Sequence, residues 1–254
     1  MERIKTLLNL TLIDADSIYF RQACVTKNKK DIRQGIDYVM NQIRRDCMSD
    51  QLMVAVKGHG NFRKDLFPQY KANRKPQPDD MKEALTYAHE YMCKKWDAIM
   101  ADGMEADDLV SIWAYEAREA ETAYVIAGID KDLLQIPGDH YNFVKKTHQF
   151  IDDDEAHLKL MLQCLTGDGT DNIPGIKGVG AKTAEKILKG IPMERRWNRV
   201  RASWRGYKAG NPNTSYDLLR MLTSWKDYED IKDRIASQTS VRQQDVLERE
   251  EVKD

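Results

Sequence analysis

Three short β-prone runs punctuate the first half of the chain, and each is followed at once by a residue that does not belong in a core. "TLLNLTLID" ends at Asp14, "QLMVAVK" runs into Gly58, and "TAYVIAG" stops two residues before Asp130. Helical patterns occupy 31–47, 80–95 and 105–119 between and after them. This β-α-β-α order predicts a mostly parallel sheet with helices on its faces. Such sheets collect ligands beyond the carboxyl ends of their strands, where these residues stand.

The rest of the chain reads differently. From about 153 onward no convincing strand remains, and "DDEAHLKLMLQCLTG", "AKTAEKILKG", "MERRWNRVRASWRGYK" and "TSYDLLRMLTSW" read as helices broken by Gly and Pro. We expect an α/β core over 1–160, with a basic arch at about 62–95. A helical region over 161–235 and a polar tail over 236–254 complete it. A chain of 254 residues can bury a full core. Its longest apolar stretch, at 7–13, is far too short to cross a bilayer and lacks a signal-peptide cleavage site. Cys24, Cys47, Cys93 and Cys164 are scattered without CxxC spacing, as in a reduced cytoplasmic protein rather than a zinc or disulfide framework.

A net charge of −1 argues against a general polyanion binder, but the average hides a segregation. Residues 57–75 hold Lys57, Arg63, Lys64, Lys71, Arg74 and Lys75 against one acid, Asp65. Residues 177–208 hold ten Lys and Arg against Glu185 and Glu194. Acids gather around 102–108, 130–132 and 152–155. Solvated helix faces account for part of such a pattern; basic blocks with acid clusters between them also suit a polyanion held beside a metal.

The acids recur in pairs. Glu105, Asp107 and Asp108 enter a helix, Asp130 and Asp132 follow a strand, Asp168 and Asp171 lie in "GDGTDN", and Asp14 and Asp16 end the first strand. Each pair has an ordinary explanation: the helix dipole, an Asp cap or an Asx turn. Their sum is harder to explain, because so many carboxylates on one side of a sheet repel one another unless cations intervene. All-carboxylate sets without Cys or His favour Mg²⁺ or Mn²⁺, and two such ions suit phosphodiester hydrolysis.

Two segments complement the acids. "NFRKDLFPQYKANRKP" interleaves cations with Phe62, Phe67 and Tyr70, a pattern of base stacking and phosphate contact. "IPGIKGVGAKTAEKIL" fits a helix-hairpin-helix, with Gly178 and Gly180 letting backbone approach a phosphate, and Lys182 and Thr183 opening the following helix.

Taken together, "LIDADSIYFR", "FRKDLFPQYKANR", "GMEADD", "IDKDLLQI" and "GDGTDNIPGIKGVGAKTA" resemble the 5′-nuclease family. That family comprises bacteriophage flap endonucleases and exonucleases and the 5′-nuclease domain of bacterial DNA polymerase I. The resemblance implies a helical arch passing a 5′ single strand and a helix-three-turn-helix holding duplex DNA. It implies Asp14, Glu105, Asp107 and Asp108 as ligands of a first metal, and Asp130, Asp132, Asp168 and Asp171 as ligands of a second. Lys71 and Arg74 correspond to catalytic cations on the scissile phosphate, Tyr70 to a residue stacking on the terminal nucleotide, and Arg21 to a cation near the first strand; Arg63 joins them as a DNA contact. The hairpin at Gly178, Val179 and Gly180 resembles a K⁺-assisted phosphate clamp.

One position departs from the pattern. The family has an aspartate after the second strand, where Gly58 stands here between Lys57 and His59. Asp16 compensates, or the first metal binds more weakly, or the enzyme is a weakened one. The expectation is a cytoplasmic, monomeric 5′-nuclease that cuts DNA at a 5′ end or flap, leaving 5′-phosphate and 3′-hydroxyl, without membrane attachment. The alternatives are RNase H-type action on an RNA–DNA hybrid and a non-catalytic DNA-structure binder.

Overall fold

The run ending at Asp14 becomes β1 (Leu10–Asp14), an inner strand with neighbours on both sides. The computed structural model describes residues 9–207 and 210–237. The other strands of its sheet are β2 (Gln51–Lys57), β3 (Ile99–Ala101), β4 (Tyr124–Ala127), β5 (Gly138–Asn142) and β6 (Thr147–Ile151), in the order β3-β2-β1-β4-β5-β6. Every pairing is parallel except that of β5 with β6. Strand order reverses direction at β1, between β2 and β4, so the crevice at their carboxyl ends is the ligand position of a doubly wound sheet.

Alternation along β1 sends neighbouring side chains to opposite faces. Ile13 joins Val54 and Val56 under α1 (Asp16–Val25), α2 (Lys29–Asp46) and α4 (Asp79–Trp96), which contribute Ile18, Ile36, Met40 and Met92. Leu12 joins Ala55 and Ile126 under α5 (Ala106–Glu119), with Leu109, Ile112 and Trp113. The helices start where their sequences favour it. The Asn28 side chain accepts from the backbone N–H groups of Lys30 and Asp31 to cap α2. Asp79 and Asp80 open α4 and Lys94 and Lys95 close it, in accord with the helix dipole.

A third core gathers α6 (Asp153–Thr166), α7 (Ala181–Leu188), α8 (Met193–Ser203) and α9 (Pro212–Leu219) around Cys164, Leu165, Val200 and Trp204. Tyr70, from the loop after α3 (Phe62–Leu66), belongs to this cluster.

The structure departs from the sequence expectation at four points. β3, β5 and β6 were not anticipated. A two-residue ladder, β7 (Gly167–Asp168) with β8 (Ile173–Pro174), stands where no strand was expected. The expected helical region does not keep to itself: Met221, Leu222 and Ile231 pack under α5 with the sheet's own core. Finally, α4 buries Met81, Ala84, Ala88 and Met92 against α1 and α2, so the span left to bridge the site is the connection 67–78 rather than 62–95. Lys208 and the expected tail beyond 237 lie outside the described residues.

Candidate active site

Two adjoining cavities open at the carboxyl ends of the strands. The larger, about 760 Å³, is bounded by the end of β1 (Asp14, Asp16), α1 (Arg21), the loop after β2 (Lys57, Gly58, His59) and α4 (Leu85, His89). The smaller, about 90 Å³, includes Asp132, Asp168 and Asp171. Lys71, Arg74, Glu105, Asp107 and Asp130 line both. Seven of the eight expected carboxylates therefore face one continuous space, although they come from residues 14 to 171. Among the described residues, no three His, Cys, Asp or Glu side chains converge tightly enough to hold a metal ion in this arrangement.

Protein cations hold several of the acids. Lys71 Nζ pairs with Glu105 and lies 3.5 Å from Asp171; the Arg74 guanidinium is 2.7 Å from Asp171 Oδ1. Lys131, between Asp130 and Asp132, reaches Asp168 at 2.9 Å. Desolvation pushes both carboxyls up, yet the charge of Arg63 and then of Lys71 holds Glu105 below its ordinary range, and Lys131 does the same for Asp168. Asp14, Asp107 and Asp130 have no ion pair among the described residues. Burial, then the charge of Asp16, pushes the Asp14 carboxyl up to about 8. Burial and the adjacent charge of Glu105 push Asp107 well above the usual carboxylate range. Asp132 rises to about 6 through burial and the charge of Asp130, and Gln163 donates to its Oδ1 at 2.5 Å.

Backbone turns aim these groups. The Asp130 carboxylate accepts the N–H of Asp132, and the Asp168 carboxylate accepts those of Thr170 and Asp171. The loop carrying Lys71 is tied to this second turn. The Lys71 N–H donates to Asp171 O, Asn73 Nδ2 to Gly169 O, and Asn172 Nδ2 to Gln69 O. Lys71 and Asn172 both take positive φ, 56° and 59°.

Three of the expected residues lie buried, away from the solvent an incoming ligand would reach. Asp108, expected as a metal ligand, lines neither cavity: it is fully buried, and its oxygens lie 2.5 and 2.8 Å from the two terminal nitrogens of Arg63. Arg63, expected on DNA, is 2% exposed and also donates to the carbonyls of Leu218 and Arg220. Asp108 further accepts the N–H groups of Glu105 and Leu222. The pair is a structural hub joining α3, α5 and the segment after α9. Tyr70, expected to stack on a nucleotide, is 3% exposed, with its hydroxyl 2.7 Å from Glu105 and 3.1 Å from Asp171. Its ring belongs to the third core, and it also borders the smaller cavity.

Gly58 lies where it was aligned, after β2, and no other residue fits there. A Cβ would come within 2.5 Å of Asp102 Oδ1 and 2.6 Å of the Ala101 carbonyl carbon. Asp16 Oδ1 accepts the Lys57 N–H at 2.8 Å, so this acid is engaged in turning the strand end. Lys131 and His89 were not singled out from the sequence for this site. A helical face carrying Leu85 and His89, four apart, was the available signal for the last of them.

The hairpin residues lie outside both cavities. Gly178 has φ +83°, the space beside Gly178 and Gly180 is open, and Gly180 caps α7. Lys182 and Thr183 follow on the exposed first turn, while Tyr207 donates its hydroxyl to Lys177 O.

With these elements in place, the chain can be set beside known proteins. Residues 9–161 match the family described as 5′-3′ exonuclease, N-terminal resolvase-like domain. The chain belongs to that family. It is 31% identical over 202 residues to DNA polymerase I of Borreliella burgdorferi, covering 71% of this chain and 22% of the polymerase. It is 31% identical over 143 residues to the flap endonuclease Xni of Shewanella sp. strain W3-18-1, covering 51% of this chain and 53% of that protein. This chain thus spans about a fifth and about half of these two relatives. In fold it is similar to the T5 5′-exonuclease with divalent metal ions bound (TM-score 0.68, 17% identity, 90% of this chain and 98% of that one). It is also similar to the bacteriophage T5 flap endonuclease in complex with DNA and metal ions (TM-score 0.63, 20% identity, 83% and 86%).

Proposed function

We propose that this chain is a structure-specific 5′-nuclease that hydrolyses a DNA phosphodiester near a 5′ end or flap junction, leaving 5′-phosphate and 3′-hydroxyl. The observation that carries the reading is the convergence of seven carboxylates with Lys71 and Arg74 around adjoining cavities at the sheet's switch point. The donor set is oxygen-only, and Asp14 and Asp107, which have no ion pair among the described residues, have carboxyls pushed above the usual range by desolvation and neighbouring acids. A hard divalent cation relieves that kind of strain, so the residues fit Mg²⁺ or Mn²⁺. Asp14, Glu105, Asp107 and Asp130 would hold one ion, and Asp132, Asp168 and Asp171 a second. When bound, such ions activate water and offset charge on the leaving oxygen.

The chain's own residues have distinct tasks. Lys71 Nζ and the Arg74 guanidinium supply N–H donors to the non-bridging oxygens of the scissile phosphate, where charge develops. The connection 67–78 covers the cavity and restricts water. The open hairpin at Gly178 and Gly180, with Lys182 and Thr183, binds duplex phosphates, and Val179 O is available to a K⁺ ion there. The partner is DNA, engaged by a monomer in the cytoplasm. Product lengths on a 5′-flap and a blunt duplex, with Mg²⁺ and with EDTA, test the reading. Cation-dependent cuts near the junction or end are expected, and intact substrate at saturating Mg²⁺ refutes it.

A further inference from the structure

The three acids placed on the second ion are not held alike. Lys131 reaches Asp168 and Arg74 reaches Asp171, whereas Asp132 is held by a neutral amide. Gln163 of α6 donates through Nε2 to Asp132 Oδ1 at 2.5 Å. Asp132 Oδ2 accepts no hydrogen bond among the described residues, and Asp132 lines the smaller cavity. Gln163 lines neither cavity, so it reaches the site only through this carboxyl.

The direction of that amide is fixed from behind. Gln135 closes the 3₁₀ turn (Asp132–Gln135) that Asp132 opens, and in such a turn side chains three apart project on one side. Gln135 is buried, and its Nε2 donates to the Leu219 carbonyl at 3.0 Å and to Gln163 Oε1 at 2.6 Å. A carbonyl only accepts, so the Gln135 group facing Leu219 is its NH₂. The second N–H of that group takes the oxygen of Gln163, which leaves the Gln163 NH₂ facing Asp132. Every other orientation of the two amides sets an oxygen against an oxygen. Leu219 ends α9, and its carbonyl stands between those of Leu218 and Arg220, which Arg63 holds. Carbonyls at a helix end have no partner within the helix, and here side chains from the sheet's side of the molecule supply one.

We propose that Gln163, set by Gln135 and the Leu219 carbonyl, is a positioning residue for the second divalent cation: it holds one oxygen of Asp132 and leaves the other to the ion. The assignment rests on the metal-dependent reading of the site. A hydrogen-bond donor behind a ligating carboxylate fixes its orientation, and losing such a partner costs about ten- to a hundred-fold in metal affinity. An amide does this without placing a positive charge beside the ion.

The test is Mn²⁺ binding to the full chain, followed by the electron paramagnetic resonance of the free ion, alongside the Mg²⁺ dependence of flap cleavage. Asp132→Asn identifies the affected site. Gln163→Met should weaken that same site about ten-fold and change the other by less than about two-fold. The half-saturating Mg²⁺ concentration for cleavage should rise about ten-fold, while the rate at saturating Mg²⁺ stays within about three-fold. Gln135→Met removes no contact to an acid, yet it should weaken the same site by a smaller factor. The double variant should bind no more weakly than Gln163→Met alone, since both act through one contact. Thermal unfolding in EDTA checks that each variant is folded, and Gln135→Met carries the test if Gln163→Met is not. Unchanged Mn²⁺ affinities in a folded variant, or losses that multiply in the double variant, overturn the assignment and leave the metal-dependent reading intact. Wild type that binds no Mn²⁺ overturns both.

Discussion

Asp14→Asn should make the metal-free protein more stable while removing its cleavage. Asp14 is 6% exposed, and its carboxyl is held near pH 8 by burial and neighbouring acids, against 3.8 when unfolded. Between those values the unfolded chain has released a proton that the folded chain retains, so folding stability falls as pH rises through the window and levels off above about 8. At about 1.4 kcal/mol per pH unit the full shift would be about 6 kcal/mol. Coupling among Asp14, Asp16, Glu105 and Asp130 shares that cost across the cluster, leaving about 2–4 kcal/mol for this residue. Asparagine retains the oxygen that accepts the Asp16 N–H but has no proton to lose. In EDTA at pH 8 the variant's Tm should exceed wild type by about 5–10 °C. The gap should close towards pH 4, and it should shrink in saturating Mg²⁺, because the variant lacks a charge to engage the cation. A thermal scan across pH decides the matter. Equal Tm values at pH 8 in EDTA, or a difference that ignores pH, would refute the account of Asp14 as a buried acid awaiting a cation.

Other consequences can be measured in parallel. Arg63→Met removes one partner of the buried Asp108 pair and should cost about 3–5 kcal/mol in urea denaturation, contrary to the near-neutral effect expected of an exposed DNA contact. Asp168→Ala should abolish Mg²⁺-dependent cleavage while leaving duplex affinity within about three-fold, read by gel shift. Gly180→Glu meets open space at a φ of −92°, so it should fold normally; a duplex affinity reduced by about ten-fold at low salt, with recovery of the difference at high salt, identifies charge rather than sterics as the cause.

The legible parts of this molecule were those with long periodic patterns or an abrupt chemical change. α2, α4 and α5 fell within a few residues of their expected spans because each carries an apolar stripe over three or more turns. The acids after β1 and β4 stood out because charge follows an apolar run at once. β6 did not, since Thr147, His148, Gln149 and Phe150 are all exposed on an edge strand and no buried face imposes a pattern. Arg63 illustrates a different limit. A basic loop gives no sign of which cation is buried until the fold brings Leu218 and Arg220 carbonyls to it, more than 150 residues away in sequence. Tyr70 likewise reads as exposed until α6 to α9 close around it.

The ties between residues 69–73 and 169–172 also set a timetable. They join segments about a hundred residues apart, and Arg63 reaches further still, to 218 and 220. Synthesis proceeds from the amino terminus, and contacts between distant segments are the slow ones to form. A ribosome-bound chain carrying only the sheet has Asp14, Glu105 and Asp130 in place but lacks the turn that orders Lys71. Lys71 therefore gains its anchorage only once residues 169–172 have been made, however complete the sheet is by then.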